Sequence, residues 1–539
     1  MKMRKYYRGL CGILAGCLMA FVPSLNVRAE MPGYIRAATY TSDAWVANFW
    51  NTESDHMEEE LAQIAADGFN TIILVIPWRE FQPSVMPLTY NPYAFEKLDQ
   101  VMEAAQKQGL SVMFRLGYTW DYYEDEGSVY RFRELLRSDA VRNGWLAYAG
   151  RIYETGSRYS NFCGGFMTWE DFWNYAEDAG NFGRRDNSRK EAKQIGFQDY
   201  LKERYTLSEL NEIFQPAVAF SSYEEVYIPG RSDHAYRLFY EFYDAYLSEL
   251  LADTQKCFPG LSMEVRLDGD QVPDADGEGM MRVNHYDTFA CGDADYTALM
   301  YSVSMGRAAG QTVLVHEAFR TMGEQLAQVK AHNGGKPIMI DQLLYMDETE
   351  DFQSNARLLE SHRGLFLMGL PELLHQYTNG YGIWTYRNYT NNPVYNSQFA
   401  LGSRGWEVSE AAVQTRNGSS QMMILPGGKI SQKIGHRIGG RNTHDNYVRF
   451  TADSDGPVTV TVSLGTQKQK QQVSVDGEQQ FTLEFGRDGY YSVEFEADGE
   501  VYLDNIQVYN FIQAGQLRDV DGRELSCMEP MRHLNGAMK

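Results

Sequence analysis

A (β/α)8 barrel of the TIM type, followed by an all-β sandwich, is the fold predicted for this α/β chain, on three observations. Eight short apolar runs recur between residues 34 and 386. Amphipathic stretches with helical spacing separate several of them, which implies a parallel sheet with its helices outside. After residue 396 the helical period fades, and alternating runs bounded by Gly, Asp and Ser take over.

Residues 1–29 precede the fold. "MKMRKYYRG" is basic, "LCGILAGCLMAFV" is apolar, and "NVRA" ends in Ala29 before Glu30. That is the pattern of a secretory signal peptide cut after Ala29, and the apolar run is short for a stable membrane helix. Leu14-Ala15-Gly16-Cys17 also resembles a lipobox, in which Cys17 would carry lipid. The run continues past Cys17 and a good later cut exists, so release is preferred and anchoring at Cys17 is the alternative. No second long apolar segment follows, and no transmembrane helix is expected.

The eight strand candidates are "YIRAATY", "FNTIILVIPW", "GLSVMFRLGY", "GGFMTW", "LSMEVRLDGD", "YTALMYSVSMG", "KPIMID" and "GYGIWTY". Helical patterns lie at 57–66, at 95–108, and through Tyr236, Phe239, Tyr243 and Leu247. The barrel is placed at 30–396, with its largest insertion at 173–260, between the fourth and fifth strands. The sandwich is placed at 397–510, on runs such as "YVRFTA", "VTVTVSL", "FTLEF" and "VYLDNIQVY". The tail, 511–539, shows no clear period and is free to pack on either unit.

Composition narrows the function. A net charge of −23 argues against nucleic acid as a partner, since phosphates repel an acidic surface. Aromatics make up 13% of the chain, with 36 Tyr and 9 Trp, which suits either stacking on sugar rings or large aromatic cores. Beyond the signal, Cys163, Cys257, Cys291 and Cys527 form no CxxC pair, and the ten His show no metal-ligand spacing. No GxSxG is present, so a serine triad has no support.

In a barrel of this kind, chemistry comes from the C-terminal strand ends. Strand two ends at Trp78, Arg79 and Glu80; strand three brings Arg115, Tyr118, Trp120 and Asp121. Strand four ends in Trp169, Glu170 and Asp171, and strand five in Asp268 and Asp270. Strand six ends near Tyr301 and Ser304, strand seven at Asp341 and Gln342, and strand eight at Trp384, Tyr386 and Arg387. Two carboxylates across a bond, aromatic platforms and polar groups for hydroxyls are the equipment of a glycosidase. No redox cofactor and no catalytic metal is needed. Glu170 sits among Trp169, Phe172 and Trp173, and such a cage would raise its pKa and suit it to general-acid work. Its plainer reading is a rim ion pair with Arg115 or Arg79. Glu264 and Arg266, two apart on strand five, read equally as an interior ion pair or as substrate contacts.

"TIILVIPWREFQP", "YNPYAFEKLDQVMEAAQKQGLSVMFRLGYTW" and "GFQDYLKERYTLSELNEIF" resemble glycoside hydrolase clan A, notably family 42 β-galactosidases and the cellulase-like barrels. The resemblance implies a glycosidase acting on β-linked polysaccharide or oligosaccharide. It implies that Glu170 is the acid/base, although Trp169 stands where the clan usually has Asn. It implies a nucleophile at the end of strand seven, where "KPIMIDQ" puts Gln342 in place of the clan's Glu, with Asp341 just before it. It also makes Trp384 the strand-eight tryptophan under the sugar, core packing being the alternative. Trp78, Arg115, Tyr118, Trp120, Trp169, Asp268, Tyr301 and Gln342 complete the expected substrate contacts.

Side chains alternate along a strand, so Asp341 and Gln342 face the axis together only with a bulge. Three readings stay open: Asp341 is the second carboxylate, Asp268 or Asp270 is, or the site binds sugar without cutting it. A lipid-anchored accessory protein of polysaccharide export is a further alternative, turning on Cys17. "NSQFALGSRGWEV", "GGKISQKI" and "VYLDNIQVY" resemble a jelly-roll carbohydrate-binding module. Ala400 stands where such modules place a calcium-binding acid, and a purely buttressing sandwich is the alternative.

Overall fold

The structure is a computed structural model describing residues 31–53, 56–117, 128–168, 185–230, 233–267, 271–273, 280–282, 286–346, 355–434, 444–475, 477–487, 492–510, 512–513 and 517–539. Eight parallel strands close into a barrel, and each overlaps one of the eight apolar runs. They are β1 (Ile35–Thr39), β2 (Thr71–Ile76), β3 (Ser111–Leu116), β4 (Phe162–Met167), β5 (Ser262–Val265), β6 (Thr297–Ser302), β7 (Ile338–Leu344) and β8 (Thr378–Ile383). Pairing of Ile35 with Gly380 closes the ring. Burial on both faces explains why these strands read as continuous apolar runs such as "TIILVI".

Alternation divides each strand between two cores. Outward side chains, among them Ile72, Leu74, Val112, Phe114, Met263, Leu299 and Ile340, pack under helices such as Met57–Ala66, Pro92–Lys107, Asp139–Gly156, Tyr236–Gln255 and Val315–His332. Inward side chains Ile35, Ala37, Ile73, Met113, Cys163, Phe166, Tyr296, Ala298 and Met339 fill the lower interior as a separate apolar layer. Two glycines permit this closeness. A Cβ on Gly165 would lie 2.3 Å from the Phe114 carbonyl, and one on Gly382 would lie 2.6 Å from Ile73 and 2.8 Å from the Asp341 carbonyl.

Residues 407–509 form one antiparallel sheet folded on itself around its own core. Its strands are β9 (Glu407–Arg416), β10 (Ser419–Lys433), β11 (Asn446–Asp453), β12 (Val458–Leu464), β13 (Gln467–Val473), β14 (Gln479–Phe485), β15 (Ser492–Ala497) and β16 (Val501–Tyr509). The order is β13-β12-β15-β10-β16-β11-β14, with β9 paired to β10. Long β10 pairs with β16 at 422–424 and with β15 at 429–433, so it serves both halves. Met422, Ile430, Phe450, Val460, Phe495 and Leu503 are among the residues that fill the space between.

The chain then returns to the barrel. Tyr389 and Thr390 pair with Gln513 and Ile512, so the sandwich is an excursion whose two ends meet. The tail, left open by its sequence, ends in a helix, Met528–Ala537, that buries Met528, Met531 and Leu534 against the barrel's outer core. Asp67, after the first barrel helix, clamps it: its carboxylate accepts from Arg518 at 2.7 and 3.0 Å and from Arg532 at 2.8 and 2.9 Å. Cys163, Cys257, Cys291 and Cys527 are free thiols. Among the described residues, no helix is long and apolar enough to cross a membrane.

Candidate active site

One step above the apolar interior layer, towards the C-terminal ends of the strands, the lining becomes polar. Arg115 lies two residues past Met113 on β3, Asp341 two past Met339 on β7, and Glu264 two past Ser262 on β5. Strand parity therefore points all three at the axis. They are buried almost completely, at 1%, 1% and 0% exposure for Arg115, Asp341 and Glu264, so their mutual contacts replace contacts with water.

The three form one cluster. Arg115 Nη2 donates to Thr168 Oγ1 at 2.9 Å and to Glu264 Oε1 at 3.3 Å. Glu264 Oε2 is nearer, 2.9 Å from the same nitrogen, as an ion-pair contact rather than an aligned hydrogen bond. Asp341, turned to the same buried interior from β7, feels the charges of both Glu264 and Arg115. No N–H or O–H donor among the described residues reaches either Asp341 oxygen. Burial, and next the charge of Glu264, hold Asp341 well above the usual carboxylate range, against the opposing pull of Arg115.

A bulge makes the placement. Leu299 of β6 pairs with Ile340 and Met300 with Gln342, so Asp341 is the extra residue in β7. Ile340 and Leu343 both belong to the outer core, and the two residues between them, Asp341 and Gln342, are left to the inner side. The condition set by the sequence for both to face the axis is met.

Above the cluster, β8 runs into half-buried Trp384, joined to Thr385 by a cis peptide bond. Its ring lies 6.0 Å from the Arg115 guanidinium carbon and packs against a small apolar group of Trp45, Val46, Ala47, Val75 and Tyr389. Trp384 thus stands at the mouth, over the charged residues.

Two expected contacts lie elsewhere. Tyr301 has the parity of Leu299 and faces outward: its ring stacks on Phe366, and its hydroxyl is 3.5 Å from the Ala318 carbonyl of the covering helix. Trp78 is fully buried in the outer core, edge-on to Trp145 at 5.1 Å, with its Nε1–H donated to Gln82 Oε1 at 2.7 Å. Neither joins the cluster at the axis. Its neighbours are also occupied: Glu80 accepts from Asn51 Nδ2 at 3.1 Å, and the Arg79 guanidinium covers the Tyr395 ring at 4.8 Å. Glu170, Asp171, Tyr118, Trp120, Trp169, Asp268 and Asp270 lie outside the described residues.

Glu264 is the residue that the strand-end rule passes over. It lies within its strand, not at the end. Its signal is a lone carboxylate in the otherwise apolar run "LSMEV"; the sequence set it beside Arg266 on the same strand, and the ion pair the structure shows is with Arg115 of β3. Among the described residues, no group of three or more His, Cys, Asp or Glu side chains is placed to hold a metal ion.

The fold and this mouth define a (β/α)8 barrel with an acidic pair and an arginine below a tryptophan. Solved structures similar to this chain are glycoside hydrolases. A GH5_18 protein from Streptomyces cattleya in complex with GlcNAc is 14% identical, over 66% of this chain and 72% of that one, with a TM-score of 0.41. A β-galactosidase from the psychrophilic Marinomonas ef1 is 12% identical, over 66% and 54% of the two chains, with a TM-score of 0.45. An exo-β-1,4-mannosidase from Opitutaceae bacterium strain TAV5 is 12% identical, over 67% and 55%, with a TM-score of 0.41. This chain thus spans about half the length of the latter two. No family model matches the sequence, and no curated protein does.

Proposed function

We propose that this protein is a secreted glycoside hydrolase that cleaves β-linked polysaccharide or oligosaccharide at the mouth of its barrel. The observation that carries the reading is the placement of Asp341: a carboxyl group held on the barrel axis by a bulge, beside a second carboxyl and an arginine, with Trp384 above. A glycosidic bond needs a proton for its leaving oxygen and a second carboxyl group on the other side of the sugar. Glu170, in its aromatic sequence, is assigned the first task and Asp341 the second. Asp is one methylene shorter than Glu, which widens the gap to Glu170 and favours inversion through an intervening water. Trp384 supplies an apolar face for a ring, and Arg115 holds the acidic pair in place. Export through the 1–29 leader and release after Ala29 belong to the same proposal.

A reducing-end assay of residues 30–539 against a panel of β-linked glycans tests it. The expected result is release of reducing ends by the wild type, and loss of turnover by about two to four orders of magnitude in Glu170→Gln with glycan binding retained. A second reading, glycan binding without cleavage, is favoured by one observation: Asp341 is fully buried beside another carboxyl group. Tight binding with no reducing ends released from any glycan would establish that reading instead.

A further inference from the structure

On the flank of the barrel, away from the axis, helices Pro92–Lys107 and Asp139–Gly156 bound an open groove of about 620 Å³. Small-molecule sites have that size, roughly 300–1,000 Å³, but are walled mostly by apolar groups. This wall is charged. Asp99 lines it from the first helix, exposed Arg151 and Glu154 from the second, and Arg158 from just past the second helix's end. Tyr90 and Phe95 add two rings, and Arg151 lays its guanidinium over both, 4.1 Å from the Tyr90 centroid and 4.5 Å from that of Phe95. The groove begins on the mouth side, since Tyr90 lies on the connection that leaves the C-terminal end of β2.

Much of this polar wall is unused. Arg158 Nη2 and the Tyr159 hydroxyl both donate to Asp99 Oδ1, each at 2.9 Å, which leaves Asp99 Oδ2 with no donor among the described residues. A Glu three residues after an Arg is within pairing reach on a helix. The stacked guanidinium of Arg151 nonetheless leaves Glu154 alone, and neither side chain has an ion pair or hydrogen bond among the described residues. Two cations and two carboxylates sum to zero. An anion would gain Arg151 and meet Glu154 and Asp99, and a cation would meet the reverse. A hydroxyl donates and accepts at once, so a neutral polyhydroxyl ligand can use both sets of groups.

We propose that this groove is a second carbohydrate site, which holds a neutral β-linked oligosaccharide on the flank of the barrel and does not cleave it. The choice of a sugar rests on the proposed glycoside hydrolase. A polymer held here keeps its neighbouring stretch close to the mouth, as a second binding module would.

Phenylglyoxal, which adds to exposed arginines, reads occupancy without turnover. Residues 30–539 are treated with it for a short time in a large excess of β-1,4-linked hexaoses of glucose, mannose or galactose, and each arginine is followed by peptide mass spectrometry. A hexaose of galacturonate is the acidic control, disfavoured by the chain's net charge of −23. At least one neutral hexaose is expected to slow modification of Arg151 severalfold, while exposed Arg320 and Arg523 react as before. Ala147→Trp fills the groove from a half-buried position and keeps Arg151, so it should abolish the protection. Glu154→Ala, a change at an exposed position, should weaken it.

Equal modification of Arg151 with and without every neutral hexaose overturns the inference, and so does protection by the galacturonate hexaose alone. Protection that survives unchanged in both variants places the sugar elsewhere and overturns it too. A protein that cleaves glycans but leaves Arg151 unprotected loses the second site and keeps the hydrolase. Protection in a protein that releases no reducing ends keeps the groove as a sugar site and removes the hydrolase.

Discussion

The charge count at the barrel axis makes a quantitative prediction for stability. Arg115 is a cation with 2% side-chain exposure; Glu264 is ion-paired with it, and Asp341 feels its charge. Glu264→Gln leaves Asp341 facing the guanidinium, and Asp341→Asn leaves the Glu264–Arg115 pair in place. Each single change exchanges about one hydrogen bond, which costs ~1 kcal/mol. The double variant is different in kind, because a buried arginine then has no counter-ion in the trio. Breaking a buried pair by removing its partner costs ~3–5 kcal/mol. The double change therefore exceeds the sum of the singles by ~1–3 kcal/mol. Urea unfolding of wild type, both singles and the double at pH 7 measures this coupling. Sums that agree within ~0.5 kcal/mol, or a Glu264→Gln variant as unstable as the double, would refute a joint role of the two carboxyl groups in holding Arg115. The pH dependence adds a sign. Asp341 keeps its proton in the fold but loses it in the unfolded chain above pH ~4, so the wild type loses ~1.4 kcal/mol per pH unit between its unfolded and folded values. Asp341→Asn lacks that loss, and its relative stability improves as pH rises.

Further expectations concern the clamp, the seam and the mouth. Asp67→Ala strips the 3%-exposed carboxylate from two arginines and should cost ~3–5 kcal/mol in denaturant unfolding; a cost under ~1 kcal/mol would show that the tail is held by its apolar side alone. Burial lifts Asp504 to about 8, so its stabilising contribution is complete in acid and lost as pH rises through about 8; Asp504→Asn should flatten that slope in a series of thermal melts. Trp384→Ala should weaken glycan binding roughly tenfold, as loss of one aromatic platform, whereas Tyr301→Phe, in the outer core, should leave binding and turnover unchanged in the same titrations.

The strands were legible because both faces of a parallel barrel are buried, which leaves continuous apolar runs that turn residues separate. Their ends were legible as heights along the axis, but height is not direction. Arg115 and Tyr301 both come near the ends of their strands, and parity sends one to the axis and the other beneath a helix. Parity depends on register, and register shifts between Leu299 and Met300 with no mark in the sequence. The tail helix was hidden for another reason: Pro530 and Gly536 interrupt a stretch whose Met528, Met531 and Leu534 nonetheless share a face. β9 was also faint, since its residues are mostly exposed and carry little alternation. The likeness of the sandwich to a binding module is a matter of strand pattern. Its seam with the barrel is built from amides: Asn48 Nδ2 donates to the Val394 carbonyl at 2.7 Å, and Gln432 brackets the Tyr395 backbone with two bonds of 2.9 Å. That seam and the paired ends at 389–390 and 512–513 serve a buttress as well as a tether.

The polar trio also asks why it exists. One layer below it, Ile35, Ile73, Met113 and Met339 fill the same barrel with apolar side chains and no charge. A buried ion pair or triad replaced by apolar residues of similar volume is often as stable as the original, or more so by ~1–4 kcal/mol, since desolvation is no longer opposed. On stability alone, Arg115→Met, Glu264→Leu and Asp341→Leu together should therefore leave the fold unharmed or strengthen it. The charges stand at the end of the barrel where side chains can reach a bound molecule, below the tryptophan at the mouth. If the trio is there for chemistry, the triple variant unfolds at the same or higher denaturant concentration and releases no reducing ends. A triple variant that loses several kcal/mol would make the trio a structural strut, and the case for Asp341 as a reacting group would fall with it.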